Sequence, residues 1–98
     1  MYYDRQGRPI TLAEFAALHN EDYYRVALTE VGDVTVSTVW LGIDHQFGGG
    51  PPLIFETLVL TDADHPLDQA GERYATEADA LAGHERWVAE VRDAEVSR

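Results

Sequence analysis

The sequence predicts an α+β domain: a three-stranded antiparallel meander with two helices packed on one face, in the order α-β-β-β-α. Three observations predict it. A capping box opens a short helical segment near the N-terminus, and a Gly-Asp pair separates two alternating apolar runs. A second capped segment, with apolar residues three and four apart, closes the chain. Ninety-eight residues suffice for one compact domain over 1–98.

The opening Tyr2–Ile10 segment reads as a small turn with Asp4 and Gly7 as its turn residues. Thr11 and Glu14 form the T-x-x-E capping box, and Ile10 with Phe15 fits a hydrophobic staple. A helix over about residues 12–19 follows, with Asn20 as its stop. Strands are expected over Tyr23–Val31 and Val34–Ile43. Gly32-Asp33 between them suits a two-residue type II′ turn, which pairs Val31 with Val34, Thr29 with Val36, Ala27 with Thr38 and Arg25 with Trp40. Leu53–Leu60 is the third strand, reached through the nine-residue loop DHQFGGGPP. A simple hairpin there sets Leu41 near Phe55 and Trp40 near Glu56. An acidic stretch from Thr61 to Ala75 leads to Thr76, which caps the last helix, with Asp79 three residues on. Leu81, His84, Val88 and Val91 form its core-facing stripe.

Alternation assigns Tyr24, Val26, Leu28, Val39, Leu41, Ile43, Leu53, Phe55 and Val59 to the face under the helices. The other face then carries Val31, Val34, Val36, Trp40, Ile54, Leu58 and Leu60, with Arg25 and Glu56 among them. So apolar a second face calls for a cover: a second copy, a partner protein or the N-terminal turn. Arg25, Trp40 and Glu56 are expected as a cross-strand row on it, either a stabilising ladder or a binding hot spot.

Composition narrows the chemistry. Eighteen Asp and Glu against seven Lys and Arg give a formal charge of −11, and every cation is Arg. Such a field disfavours direct nucleic-acid binding and favours basic protein surfaces. With no cysteine there are no disulfides and no thiol chemistry. No apolar run approaches the roughly 18 residues of a membrane span, and no signal-peptide core opens the chain, so the expected compartment is the cytosol. The two serines, Ser37 and Ser97, form no nucleophile elbow. The four histidines show no metal-ligand spacing, and His84, on an apolar stripe, reads as a hydrogen-bonded core residue. Neither a cofactor nor a metal is implied. In the glycine-rich loop, Asp44, His45, Phe47 and Gly49 are candidate contact residues, Phe47 as an apolar anchor. With Arg25, Trp40, Glu56 and Leu58 they make the candidate binding set.

Two segments carry a resemblance. Val36–Val59, VSTVWLGIDHQFGGGPPLIFETLV, and Glu72–Val91, ERYATEADALAGHERWVAEV, together about half the chain, resemble a group of short uncharacterised proteins of tailed phages and prophages of GC-rich bacteria. The resemblance implies no enzymatic activity. It implies a phage accessory protein that binds and modulates, foremost by inhibition, a host, phage or defence component in the host cytosol. Asp44, His45, Glu56 and Thr57 are the matched positions of most interest. Two other functions stay open: a dimeric binder of a small ligand or nucleotide signal, and a metal-dependent hydrolase around Asp44, His45 and Glu56.

Overall fold

The computed structural model describes residues 1–44, 49–62 and 64–97. Asp4 makes its first turn. The carboxylate accepts from the backbone N–H groups of Gln6 (3.0 Å) and Arg8 (2.9 Å), and the Asp4 carbonyl accepts from Gly7. The turn joins β1 (Tyr2–Tyr3) to β2 (Pro9–Ile10) as a small antiparallel pair. Thr11 then caps α1 (Leu12–Leu18) with the reciprocal bonds of a capping box, Glu14 N–H to Thr11 Oγ1 at 3.1 Å and Thr11 N–H to Glu14 Oε1 at 2.9 Å. Asn20 acts as a start as well as a stop. Its side chain caps a single turn, α2 (Glu21–Tyr24), so the first long strand begins at Arg25 and not at Tyr23.

The main sheet has four strands, not three: β3 (Arg25–Val31), β4 (Val34–Trp40), β5 (Phe55–Leu60) and β6 (Gly71–Tyr74), antiparallel in that order. Gly32 sits at φ +61°, as the first central position of a type II′ turn requires. The turn sets the expected pairs Val31–Val34, Thr29–Val36 and Ala27–Thr38. A bulge between Arg25 and Ala27 then shifts the end of β3, so Arg25 lies opposite Val39 and not Trp40. Between β4 and β5 the observed pairs are Trp40–Phe55 and Val39–Glu56, one residue away from the expected register.

That single residue exchanges the faces of β4 relative to β5. Val34, Val36, Thr38 and Trp40 are buried together with Phe55, Thr57 and Val59, beneath α3 (Glu77–Val96). Trp40 is therefore a core residue, 1 % exposed, with its indole N–H donating to the Tyr3 carbonyl at 3.0 Å. Phe15 of α1 and Tyr23 of α2 pack on its ring at 5.4 and 4.8 Å between centroids. Helix α3 lies across all four strands, whereas α1 and α2 gather at the Trp40 end, so the expected pair of helices side by side on the sheet is not formed. Thr76 caps α3 as expected, accepting from Asp79 N–H at 3.1 Å. Its buried stripe is Ala80, Gly83, His84, Val88 and Val91, and Leu81 is left 44 % exposed.

Arg5 fastens the N-terminal hairpin to this body. Its Nε donates to Glu77 Oε1 at 2.7 Å, its Nη1 to the Tyr23 carbonyl at 2.9 Å, and its backbone N–H to the Tyr23 hydroxyl at 2.9 Å.

Candidate functional site

The sheet has two faces of different character. Opposite α3, the register places three rows side by side: Leu28, Ser37 and Leu58; Glu30, Thr35 and Leu60; Val39, Glu56 and Arg73. Leu28 and Leu60 are 44 % and 42 % exposed there, and Leu58 and Val39 are half-buried among their neighbours. Glu56 is not held by Arg25. It accepts from Arg73 Nε at 2.9 Å, across the β5–β6 pair. Arg25 pairs instead with Glu21, one helical turn earlier in the chain. The expected Arg25–Trp40–Glu56 row therefore does not exist. Trp40 points into the core, and Val39 takes its place in a row of Arg25, Val39, Glu56 and Arg73.

The loop residues stand apart from this face. Asp44 Oδ1 accepts from Leu53 N–H at 3.2 Å, which closes the base of the glycine-rich loop. Gly49 takes φ +105° on the surface. His45 and Phe47 lie outside the described residues. Among the described residues no group of three or more His, Asp or Glu gathers where it could hold a metal ion.

Beneath the sheet, on the α3 side, runs a buried polar seam. Tyr74 O–H donates to Thr57 Oγ1 at 3.1 Å, and Thr57 and Thr38 share a hydrogen bond at 2.6 Å. Thr38 Oγ1 lies 2.7 Å from His84 Nδ1, and Thr29 Oγ1 lies 2.8 Å from His84 Nε2. One side chain from each of β3 to β6 thus meets a single imidazole-centred chain on α3. His84 is 1 % exposed, and burial pulls its pKa below the usual histidine range, against a smaller opposing effect of Glu85. Burial pushes the Tyr74 phenol up, and its bond to Thr57 works the other way. Gly83 makes room for the seam, because a Cβ there would stand 2.2 Å from the Tyr74 hydroxyl oxygen. Sequence reasoning found His84 by its place on the helical stripe. It missed Thr38, Thr57 and Tyr74 as partners, since polar residues in strands read as outward-facing.

A second buried histidine closes the far end. His65 Nδ1 accepts from Leu67 N–H at 3.0 Å, so Nε2 carries the proton and donates to Glu95 Oε1 at 2.7 Å. This ties the segment after β5 to the C-terminal turns of α3.

Electrostatically the arginines are largely spent within the chain. Arg5, Arg8, Arg25, Arg73 and Arg86 pair with Glu77, Asp4, Glu21, Glu56 and Glu72. A cavity of about 550 Å³ lies between the N-terminal hairpin and the start of α3, lined by Tyr3, Arg5, Pro51, Pro52, Thr76 and Glu77 among others. No helix among the described residues is long and apolar enough to cross a membrane. No protein-family model, curated protein or solved structure matches the chain.

Proposed function

We propose that the chain is a non-enzymatic protein-binding module, an accessory protein of the phage kind that the sequence resembles, which docks on a host or defence protein and inhibits it. The observation that carries this reading is the sheet face turned away from α3. Leu28, Val39, Leu58 and Leu60 lie on it, Leu28 and Leu58 on either side of Ser37, and Leu28 and Leu60 are over two-fifths exposed. A solvated sheet face is ordinarily polar, and apolar side chains grouped with a few charges are what a protein interface uses.

The partner that fits is a protein with an apolar centre and a basic rim. The chain carries a net −11, and pairing of five arginines with carboxylates leaves the remaining acids to set the field. A symmetric dimer through this face would bring two such charges together, so the second copy is the less favoured occupant. Direct binding to nucleic acid is disfavoured for the same reason. No cofactor is part of this reading, and the site is in an aqueous compartment, the host cytosol.

The test compares immobilised wild-type chain with a Leu28→Asp/Leu60→Asp variant of matching melting temperature, in a lysate of a GC-rich bacterium. A captured protein of basic surface, lost from the variant and washed off by about 1 M salt, supports the reading. Equal capture by both chains contradicts it.

A small-ligand binder is the second reading, favoured by the cavity beside Tyr3, Arg5 and Pro51. Arg5 is already held by Glu77 at 2.7 Å, so a nucleotide phosphate would have to displace that carboxylate. A thermal-shift screen on wild type and Glu77→Gln separates the two. A nucleotide that raises the melting point, and does so more strongly in the variant, favours the ligand reading.

A further inference from the structure

We propose that the buried seam is an acid-sensitive latch: neutral His84 fastens helix α3 to the sheet, and uptake of a proton by its ring releases the helix. Proton supply limits the directions in which the seam's hydrogen bonds can run. Each threonine hydroxyl has one proton to give. With Nε2 protonated, the chain runs one way: Tyr74 to Thr57 (3.1 Å), Thr57 to Thr38 (2.6 Å), Thr38 to His84 Nδ1 (2.7 Å), and His84 Nε2–H to Thr29 (2.8 Å). It ends at Thr29, half-buried on the edge strand. With Nδ1 protonated instead, the chain runs inward. Its last proton then falls on Tyr74, whose hydroxyl has the Glu72 carboxylate as an acceptor. Either neutral tautomer therefore completes the seam, one ring nitrogen donating to a threonine and the other accepting from one.

An imidazolium fits worse. Both ring nitrogens become donors, and Nδ1 can no longer accept from Thr38. The hydroxyl protons can turn in sequence toward Glu72, but the ring then carries a full charge at a position 1 % exposed. Among the described residues no carboxylate is directed at the ring to balance the charge. The residues that β3, β4 and β5 direct to this face are Ala27, Thr29, Val31, Val34, Val36, Thr38, Trp40, Phe55, Thr57 and Val59, none of them an acid or a base. From β6 come Tyr74, neutral at these pH values, and Glu72, which is held by Arg86 at 3.2 Å. From α3 itself comes Glu85, exposed beside the ring in sequence. Burial accordingly keeps the ring neutral below its usual range. The same helix face carries Ala80, Val88 and Val91 into the core, so strain at His84 acts on the contact that holds α3 down.

The sign follows from proton counting. In the unfolded chain His84 takes up its proton near pH 6.5, whereas in the fold it does so only at lower pH. Over that window the unfolded state binds more protons, and stability falls as pH falls. The contribution is fully present above about pH 7.

The experiment is urea unfolding of the full chain between about pH 7 and pH 5, for wild type and His84→Gln. The other histidines and the carboxylates are common to both and drop out of the comparison. The wild-type unfolding constant is expected to rise by up to about tenfold per pH unit more steeply than that of the variant. Parallel pH slopes overturn the proposal. Nitrogen-15 shifts of His84 in the wild-type chain give a check that does not depend on the variant folding. A neutral ring throughout the folded range supports the latch, and an imidazolium signal from the folded chain near about pH 6.5 overturns it.

Discussion

The hydroxyl of Tyr74 occupies the space that a side chain at residue 83 would need. A Cβ on Gly83 would stand 2.2 Å from that oxygen and 2.3 Å from two ring carbons, Cε1 and Cζ. A glycine inside a helix ordinarily weakens it by about 1 kcal/mol relative to alanine. Here the missing Cβ leaves room beneath α3 for the Tyr74 ring that bonds Thr57. Gly83→Ala is therefore expected to lower stability by about 1–3 kcal/mol, against the gain that helix propensity alone forecasts. Urea unfolding reads the sign directly, and a more stable variant would refute the close-packing account.

Thr38 is the hinge of the seam, since it bonds both His84 Nδ1 at 2.7 Å and Thr57 at 2.6 Å. Thr38→Val keeps the shape and removes both bonds, which leaves two buried polar groups without their partner. A loss of about 2–3 kcal/mol is expected, while Thr38→Ser, which keeps the hydroxyl, loses less. Equal losses for the two variants would mean that the methyl group matters and the hydroxyl does not.

Alkaline pH probes the other end of the same chain. The sequence has no lysine and five tyrosines, so phenols dominate titration at high pH. Tyr74 is held above the usual tyrosine value by burial. The folded state then keeps a proton that the unfolded state has lost, and stability falls as pH rises past about 10. Tyr74→Phe should remove this slope in the pH dependence of the melting temperature. A slope that survives in Tyr74→Phe belongs to another phenol.

Trp40 gives a prediction about what the binding face is not. Its ring is 1 % exposed and its N–H is bonded to the Tyr3 carbonyl at 3.0 Å. Trp40→Phe should cost about 1–3 kcal/mol of stability and leave capture of a partner unchanged at temperatures where the variant is folded. Loss of capture without loss of stability would return Trp40 to the interface.

The parts of the fold legible in the sequence are those specified locally. The Thr11–Glu14 capping box, the Thr76 cap and the Gly32-Asp33 turn each act over a few residues, and each forms as its pattern dictates. The rest depended on long-range choices. Nothing in a nine-residue loop pins the register of β4 against β5, and the hydrophobic pattern could not decide it either. Thr38 and Thr57 are polar yet buried because His84 and Tyr74 complete their bonds, whereas Val39 and Leu58 are apolar yet outward. With both parities mixed, alternation carries no sign. Strand β6 was hidden for a related reason. Gly71-Glu-Arg-Tyr has little strand character of its own and is held by pairing to β5. Of the candidate residues, Glu56 and Leu58 do lie on the open face, Arg25 stands opposite Val39 at its edge and pairs with Glu21, and Asp44 serves the loop base. No period in the sequence marks that division.

The central claim is that the face carrying Leu28, Leu58 and Leu60 is kept for a different, basic protein. Light scattering coupled to size exclusion, at low and moderate salt, tests it most directly on wild type and Leu28→Asp/Leu60→Asp. The account predicts a monomer of 10.9 kDa for both chains at both salts, because like charge opposes self-pairing. A wild-type dimer that the double substitution splits would contradict it, and would assign the face to a second copy of the chain.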